Sequence, residues 1–284
     1  EKWLDARHKK TLCWMVIGLI ESEKIGLTHW IPFAEVRAKM AQSVPRRFQR
    51  WLENARIAVN SLYGPLLPKA LSEWGMTTLY LAFDTSMLWN KYCIMRLSIV
   101  YRGRAIPLIW KVIEHGSSSV ALSEYKELLA TAAQLLPMYV SGRIIFLADR
   151  GFADTELMRY LKEKLHWHWR IRIKSSFKVY RPKHQGCQIS RYAPKAGEAI
   201  FWHSIRITDE RFGPVHLAMA HRRENGERWY VLSSNPTDLQ TFDEYGLRFD
   251  IEENFLDDNS NGFQLESSLI RSAKALTRLC LVLA

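Results

Sequence analysis

Apolar residues in the first quarter of the chain recur at helical spacing. Residues 12–20 keep an apolar stripe, and residues 43–59 open with Ser43 as a cap and Pro45 at an early helical position. We therefore predict a helical domain over residues 1–75. In its last helix Arg46, Arg47 and Arg50 fall on neighbouring turns, which is typical of a helix-turn-helix that contacts DNA and equally of an ordinary charged helix surface.

The pattern changes to that of β-strands at about residue 77. Three runs predict an antiparallel meander, and they cover residues 78–84, 93–101 and 105–113. Alternating helices and strands follow over residues 123–136, 143–149, 155–165 and 167–174. This order predicts an α/β fold with a mixed sheet, whose first part spans residues 76–174.

Residues 175–228 interrupt this rhythm with short strand-like pieces, turn residues and many basic side chains. We predict a β-rich insertion subdomain over this range, after which the core resumes over residues 229–284. There Asn235-Pro236 predicts the start of a helix, since Asn caps helices and Pro tolerates the first helical position.

The distribution of charge along the chain indicates that the protein binds a polyanion. The chain has 40 Lys and Arg against 29 Asp and Glu, a formal net charge of +11. Basic residues outnumber acidic ones 12 to 7 in residues 1–75 and 15 to 6 in residues 162–228, whereas residues 234–284 hold 4 basic and 9 acidic residues. We interpret this as a surface for DNA around carboxylates that bind divalent metal, with a solvated helix face as the alternative.

Other features narrow the setting. The four cysteines are widely spaced and form no Cys-x-x-Cys pair, which argues against a disulfide framework or a zinc knuckle. This favours a reducing, intracellular environment. The longest early apolar run is too short for a membrane span. Because the chain opens at Glu1 without Met and stops inside an amphipathic pattern, we expect it to be a piece of a longer protein.

Two aspartates follow apolar strands. Asp84 follows residues 78–83, and Asp149 follows residues 143–148. If these strands are neighbours, both carboxylates converge at one edge of the sheet. A lone Asp at such a place is more often a turn former, but the pair gains weight from a third acidic residue on a helix.

That helix is predicted over residues 245–259. At about 100° per residue, Tyr245, Arg248, Glu252 and Asn259 share one face. The buried stripe is predicted to consist of Leu247, Ile251 and Phe255. Such a face suits a phosphate backbone and a metal ion, although Arg248 and Glu252 also fit a simple surface pair at i, i+4 spacing.

The chemistry of phosphodiester cleavage explains these residue types. Two Mg²⁺ ions activate a water or 3′ hydroxyl and neutralise the leaving oxygen. Asp84 would lie between the ions, with Asp149 and Glu252 on either side, and Mn²⁺ is expected to substitute. Arg248 would hold a phosphate with two hydrogen bonds.

These residues resemble the signature of bacterial insertion-sequence transposases of the DDE class, in particular the IS-four family. The resemblance rests on Asp84, on the segment Asp149-Arg150-Gly151-Phe152, and on the spacing Tyr-(2)-Arg-(3)-Glu at Tyr245, Arg248 and Glu252. The family's signature continues with a Lys six residues later, where this chain has Asn259. We expect a weaker and less salt-dependent DNA contact there.

The resemblance implies an RNase H-like catalytic domain with a β-rich insertion before the glutamate. It implies Mg²⁺-dependent nicking at transposon inverted repeats, hairpin formation and strand transfer into target DNA by a homodimer that pairs two ends. It also implies that Trp229, which opens a Trp-x-x-x-(Thr/Ser)-x-x-Pro segment, stacks on a flipped base, although a strand Trp is more often part of the core. The expected location is the bacterial cytoplasm, in association with the nucleoid.

Other functions remain open at this point. The same fold suits a structure-selective DNA nuclease without strand transfer, or a DNA-binding regulator that descends from a transposase and no longer binds metal. A glycosidase with paired carboxylates is a fourth class. The net charge of +11 and the basic insertion argue against a glycosidase.

Overall fold

The computed structural model describes residues 5–34, 43–136, 143–182 and 184–284. Within these ranges the helices are α1 (Ala6–Ser22), α2 (Ser43–Glu53), α3 (Val59–Tyr63), α4 (Leu67–Trp74), α5 (Leu122–Leu135), α6 (Thr155–Glu163), α7 (Gln240–Gly246), α8 (Phe249–Leu256) and α9 (Ala273–Leu283). The strands are β1 (Thr78–Leu88), β2 (Tyr92–Tyr101), β3 (Arg104–Glu114), β4 (Arg143–Ala148), β5 (His168–Arg172), β6 (Lys178–Tyr180), β7 (Cys187–Gln188), β8 (Ala199–Ile207), β9 (Phe212–His221) and β10 (Arg228–Ser233). None of the described helices is both long and apolar enough to cross a membrane.

The strands form one mixed sheet in the order β3-β2-β1-β4-β5-β10-β9-β8-β6-β7. The predicted antiparallel meander of β1, β2 and β3 is present. Strand β4 runs parallel to β1 and to β5, and β10 is antiparallel to β5. The centre of the sheet therefore has three parallel strands, whose carboxyl ends share one edge.

The strands of residues 175–228 continue this same sheet. Strand β9 pairs with β10 along its length, β8 pairs with β9, and β6 pairs with β8. The predicted strands of this range are thus present, but they continue the core sheet from β10 onwards. The boundaries at residues 175 and 228 stay predictions.

Side chains of β1 alternate between two apolar layers. Leu81 and Phe83 pack into the layer that contains α5 and α6, whereas Ala82 and Leu88 pack into the layer that contains α8 and α9. Because successive strand residues point to opposite faces, Asp84 lies on the α8 side of the sheet. This alternation determines which helix the carboxylate meets.

Helices α1 and α2 share the second layer, whereas Leu67 and Leu71 of α4 pack in the first. Trp14 and Leu52 belong to the same buried cluster as Ile94 of β2 and Leu276 of α9. The buried Arg278 of α9 donates hydrogen bonds to the carbonyl oxygens of Leu52 and Ile57, at 2.9 and 3.0 Å. The N-terminal helices therefore share buried clusters with the sheet, and their separation as a DNA-binding domain stays a prediction.

Two predicted helix boundaries were wrong. Helix α2 ends at Glu53 instead of residue 59, because the side chain of Asn54 accepts a hydrogen bond from the backbone N–H of Arg56 and forms a turn. At Asn235 no helix begins, since the Ser233 hydroxyl accepts from the Asn235 N–H at 2.8 Å. Helix α7 begins five residues later.

Candidate active site

Asp84 and Asp149 come together through the register of two parallel strands. The last paired residues of β1 and β4 are Phe83 and Ala148, so the next residue of each strand is one of the two aspartates. The expectation that Asp84 ends its strand was wrong, since β1 continues to Leu88 by pairing with β2. Asp84 instead marks the point where β1 loses its parallel neighbour.

Backbone amides fix one oxygen of each aspartate. Oδ1 of Asp84 accepts a hydrogen bond from the N–H of Thr85 at 2.8 Å. Oδ1 of Asp149 accepts from the N–H of Gly151 at 2.7 Å and caps a short 3₁₀ helix, Arg150–Phe152. Each carboxylate is thereby oriented before any ligand binds.

Arg248 joins Asp84 to Glu252. Its Nη1 lies 3.1 Å from Oδ2 of Asp84, and its Nη2 lies 2.5 Å from Oε1 of Glu252. The Arg248 side chain is 4% exposed and that of Glu252 is 48% exposed. The guanidinium is therefore held inside the protein, while the glutamate projects from α8 towards solvent.

The environment of Asp84 raises its pKa to about 6, mainly because burial penalises the charged carboxylate. The Thr85 N–H and Arg248 oppose this rise, whereas the charges of Asp149 and Glu252 add to it. The influence of both acids on one pKa indicates that the three carboxylates lie in each other's field. Asp84 is largely ionised at neutral pH and titrates just below it.

The donor chemistry of this group fits Mg²⁺ only in part. Carboxylate oxygens are the ligands that Mg²⁺ prefers, and their mutual repulsion is the kind that a bound cation relieves. Among the described residues, however, no three His, Cys, Asp or Glu side chains are arranged to hold a metal ion. The Arg248 guanidinium between Asp84 and Glu252 explains why the expected cage is not preformed.

Two buried arginines of the sheet pair with acids on either side of Glu252, and sequence reasoning missed both. Nη2 of Arg170 on β5 lies 2.7 Å from Oε2 of Glu244, and the other oxygen of this carboxylate, Oε1, accepts a hydrogen bond from the hydroxyl of Tyr80. Nη2 of Arg96 on β2 lies 2.6 Å from Oδ2 of Asp258. Arg96 follows three apolar residues of β2, and Arg170 lies between Trp169 and Ile171 of β5; an arginine next to apolar strand residues was the available signal.

The predicted continuous helix over residues 245–259 is broken. Helix α7 ends at Gly246, α8 covers Phe249–Leu256, and a π-helical turn covers Asp257–Asn261. Arg248 and Asn259 still contact the same face of β1. Arg248 donates to Asp84, and Asn259 donates from Nδ2 to the hydroxyl of Ser86, two residues further along β1, at 2.9 Å.

Tyr245 and Trp229 lie inside an aromatic cluster. Tyr245 is fully buried and Trp229 is 3% exposed, with ring centroids 5.3 Å apart. The guanidinium of Arg222 lies over the Trp229 ring at 4.6 Å from its centroid. In this arrangement Trp229 is a core residue, and base stacking would require Arg222 and the ring to move.

The three arginines of α2 differ in their surroundings. Arg46 and Arg50 are exposed. Arg47 is half-buried, donates from Nε to the Thr11 hydroxyl at 3.0 Å and lies over the Trp14 ring at 4.7 Å. Arg47 therefore contributes to the contact between α1 and α2, whereas the described part of the chain shows no such hydrogen bond for Arg46 or Arg50.

A comparison with protein families identifies the chain. Residues 90–284, more than half of its length, match the family model described as Transposase DDE domain. No curated protein matches the chain. The matched range includes Asp149 and Glu252 but begins after Asp84, so the position of Asp84 rests on the strand register. The mixed α/β sheet is consistent with an RNase H-like transposase domain, a class of nucleic-acid-cleaving enzymes that act on DNA in transposition. The chain belongs to the transposase DDE domain family.

Proposed function

We propose that this protein is a cut-and-paste DNA transposase, similar to the IS-four family, that cleaves DNA at transposon ends and transfers the strand into target DNA. One observation carries the proposal. The ends of the parallel pairing between β1 and β4 put Asp84 beside Asp149, and Arg248 ties Asp84 to Glu252 of α8.

Asp84, Asp149 and Glu252 are the residues that would hold two Mg²⁺ ions, or Mn²⁺ in their place. Bound metal supplies an activated water or 3′ hydroxyl and neutralises the leaving oxygen. The chain itself supplies the orientation: the amides of Thr85 and Gly151 hold one oxygen of each aspartate. Arg248 supplies a buried positive charge beside the carboxylates, suited to a phosphate oxygen.

The remaining DNA contacts follow from exposure and charge. Arg46 and Arg50 are the exposed cations of α2 that would contact DNA. Arg47 would hold α2 in place through its contact with Trp14 of α1. Tyr245 supports Arg248 from the aromatic cluster, and Asn259 contributes a neutral hydrogen-bond donor. Trp229 would stack on a base only after leaving that cluster. We propose a homodimer that pairs two transposon ends, each a double-stranded inverted repeat.

The test is cleavage of a plasmid that carries the inverted repeats flanking the coding sequence. With Mg²⁺ or Mn²⁺ the protein should nick the repeat ends and join them to target DNA. Asp84→Asn should abolish both reactions and retain DNA binding. The matched control is Asp243→Asn, which removes an exposed carboxylate of α7 and should leave both reactions unchanged.

Other outcomes correspond to the other functions. Cleavage without joined products indicates a nuclease. DNA binding without cleavage, together with no carboxylate-dependent Mn²⁺ binding by calorimetry, indicates a regulator. Cleavage that persists in Asp84→Asn contradicts the assignment of the metal ligands.

A further inference from the structure

A second charged site opens next to Asp149. We call it the basic pocket, a cavity of about 460 Å³ lined by four cations, Arg150, Arg172, Lys174 and Arg228, together with three serines and Tyr230. The fold brings these residues together. Arg150 follows Asp149, Lys174 follows the end of β5, and β10 begins with Arg228 beside that end, because β10 is antiparallel to β5.

The basic pocket has a large excess of positive charge. Among the described ion pairs, Glu227 is the one acid that contacts its cations, with Oε1 2.8 Å from Nη2 of Arg172. Arg150, Lys174 and Arg228 are exposed and make no ion pair in the described part of the chain. Three of the four positive charges are thus available to a ligand, which must itself be anionic.

The uncharged lining suits a tetrahedral oxyanion. Ser175, Ser176 and Ser190 bring hydroxyl groups, and Tyr230 is 4% exposed. The Tyr230 hydroxyl has no hydrogen-bond partner in the described structure, and a buried polar group of this kind is commonly satisfied by a ligand or its water. Guanidinium groups bind phosphate oxygens in pairs.

We propose that the basic pocket binds a backbone phosphate of the DNA strand that is cut, adjacent to the scissile phosphate. This inference rests on the proposed function. Arg150 belongs to the pocket and Asp149 to the carboxylate group, so a strand lying across Asp149 continues directly over the pocket. Phosphate contacts of this type fix the register of a nucleic acid without reading its sequence, and here the register determines which bond reaches the carboxylates.

The first test is the salt dependence of DNA binding, measured by fluorescence anisotropy on a random-sequence duplex. Lys174→Gln/Arg228→Gln should make the negative slope of log K against log salt shallower by about 1, the value for one lost phosphate contact. The control Arg102→Gln/Lys164→Gln removes one Arg and one Lys that are also exposed, but from the opposite edge of the sheet. It should leave the slope unchanged.

The second test localises the contact. Each phosphate around the cleavage site is replaced in turn by a neutral methylphosphonate. One position beside the cut should weaken binding to the wild-type protein and have no further effect on Lys174→Gln/Arg228→Gln, whose cleavage rate we expect to fall about tenfold. Additive effects at every position would overturn the inference.

The two proposals fail in different ways. A wild-type protein that cleaves DNA, with a double variant whose salt slope equals that of the control, overturns the basic pocket alone. If the wild-type protein does not cleave DNA but the salt slope of binding is still shallower in the double variant, the proposed function is overturned and the pocket is supported as a phosphate site.

Discussion

The acidic C-terminal helices and the basic residues 175–228 manage their charges in opposite ways. In the C-terminal run of α7, α8 and the π-helical turn, Glu244 and Asp258 are buried and each pairs with an arginine of the sheet. In residues 175–228 the described Lys and Arg side chains are exposed, apart from the half-buried Arg181. Local net charge therefore has two uses: two acids of the helices anchor the fold, and the exposed cations of residues 175–228 are accessible to a polyanion.

This comparison changes the meaning of the acidic segment. Its excess of carboxylates suggested a metal site, yet two of these acids are neutralised by Arg170 and Arg96 and fix the helices on the sheet. These two pairs lie on either side of Glu252 along the chain, and Arg248 links Glu252 to Asp84 between them. Of the acids in this segment, Glu252 is the one that we propose for the chemistry, together with Asp84 and Asp149 from the sheet.

The largest effect should come from breaking one buried pair. Arg96→Met leaves Asp258 buried without its partner, and we expect the free energy of unfolding to fall by about 3–5 kcal/mol. Denaturant titration measures this loss. Arg96→Met/Asp258→Leu should recover most of it, because no isolated charge remains.

The matched control breaks an exposed pair. Nζ of Lys178 lies 2.7 Å from Oδ1 of Asp209, with 44% and 83% of the two side chains exposed. Lys178→Met should not measurably change the unfolding midpoint, since solvent screens such pairs. Equal losses in Arg96→Met and Lys178→Met would contradict the distinction between anchoring and available charge.

The next effect concerns the pH dependence of stability. Asp84 has a pKa of about 6 in the folded protein against an ordinary value of 3.8. Because the folded state holds this proton more tightly, its contribution to stability is complete below pH 3.8 and is lost as the pH rises through 6.

Asp84→Asn has no such proton to lose. Relative to wild type, without added metal, its free energy of unfolding should rise by about 2 kcal/mol between pH 4 and pH 7. Urea titrations across this range measure the difference, and Asp243→Asn should show no comparable trend. A constant difference between Asp84→Asn and wild type would show that Asp84 has an ordinary pKa.

The sequence supplied the parts of this picture that depend on local pattern. Alternation predicted the meander, and the two apolar strands before Asp84 and Asp149 predicted that these carboxylates would meet if the strands were neighbours. The observed pairing of Phe83 with Ala148 satisfies that condition. The prediction that the two aspartates meet therefore depends on β1 and β4 being neighbours in this register.

The rest depends on contacts between distant parts of the chain. The burial of Trp229 requires Tyr245, Phe242 and Phe249 to pack around it from two helices, and helical spacing could not show this. A helical projection also assumes one straight helix, so it could not anticipate the interruption after Gly246 or the turn that carries Asn259 to Ser86.

A smaller effect should separate Arg248 from the anchoring arginines. Its guanidinium lies between two carboxylates that we propose as metal ligands, so it opposes a cation there. Arg248→Gln should bind Mn²⁺ about tenfold more tightly, equivalent to about 1.4 kcal/mol, while DNA cleavage falls. Calorimetric titration measures the affinity. Arg104→Gln removes an exposed cation 3.6 Å from Asp257 and should not change it; weaker Mn²⁺ binding by Arg248→Gln would mean that Arg248 organises the ligands.

The smallest effect compares an anchoring with an available arginine within one helix, α2. Arg47→Ala loses a hydrogen bond to Thr11 and the contact with Trp14, so we expect it to lower the free energy of unfolding by about 1 kcal/mol. Arg46→Gln/Arg50→Gln removes exposed side chains and should change stability by less than about 0.5 kcal/mol. The same double variant should lower the salt slope of DNA binding if this helix contacts phosphates. A double variant with unchanged salt dependence would assign α2 to the packing of the N-terminal region, and the exposed arginines of α2 would then have no part in holding DNA.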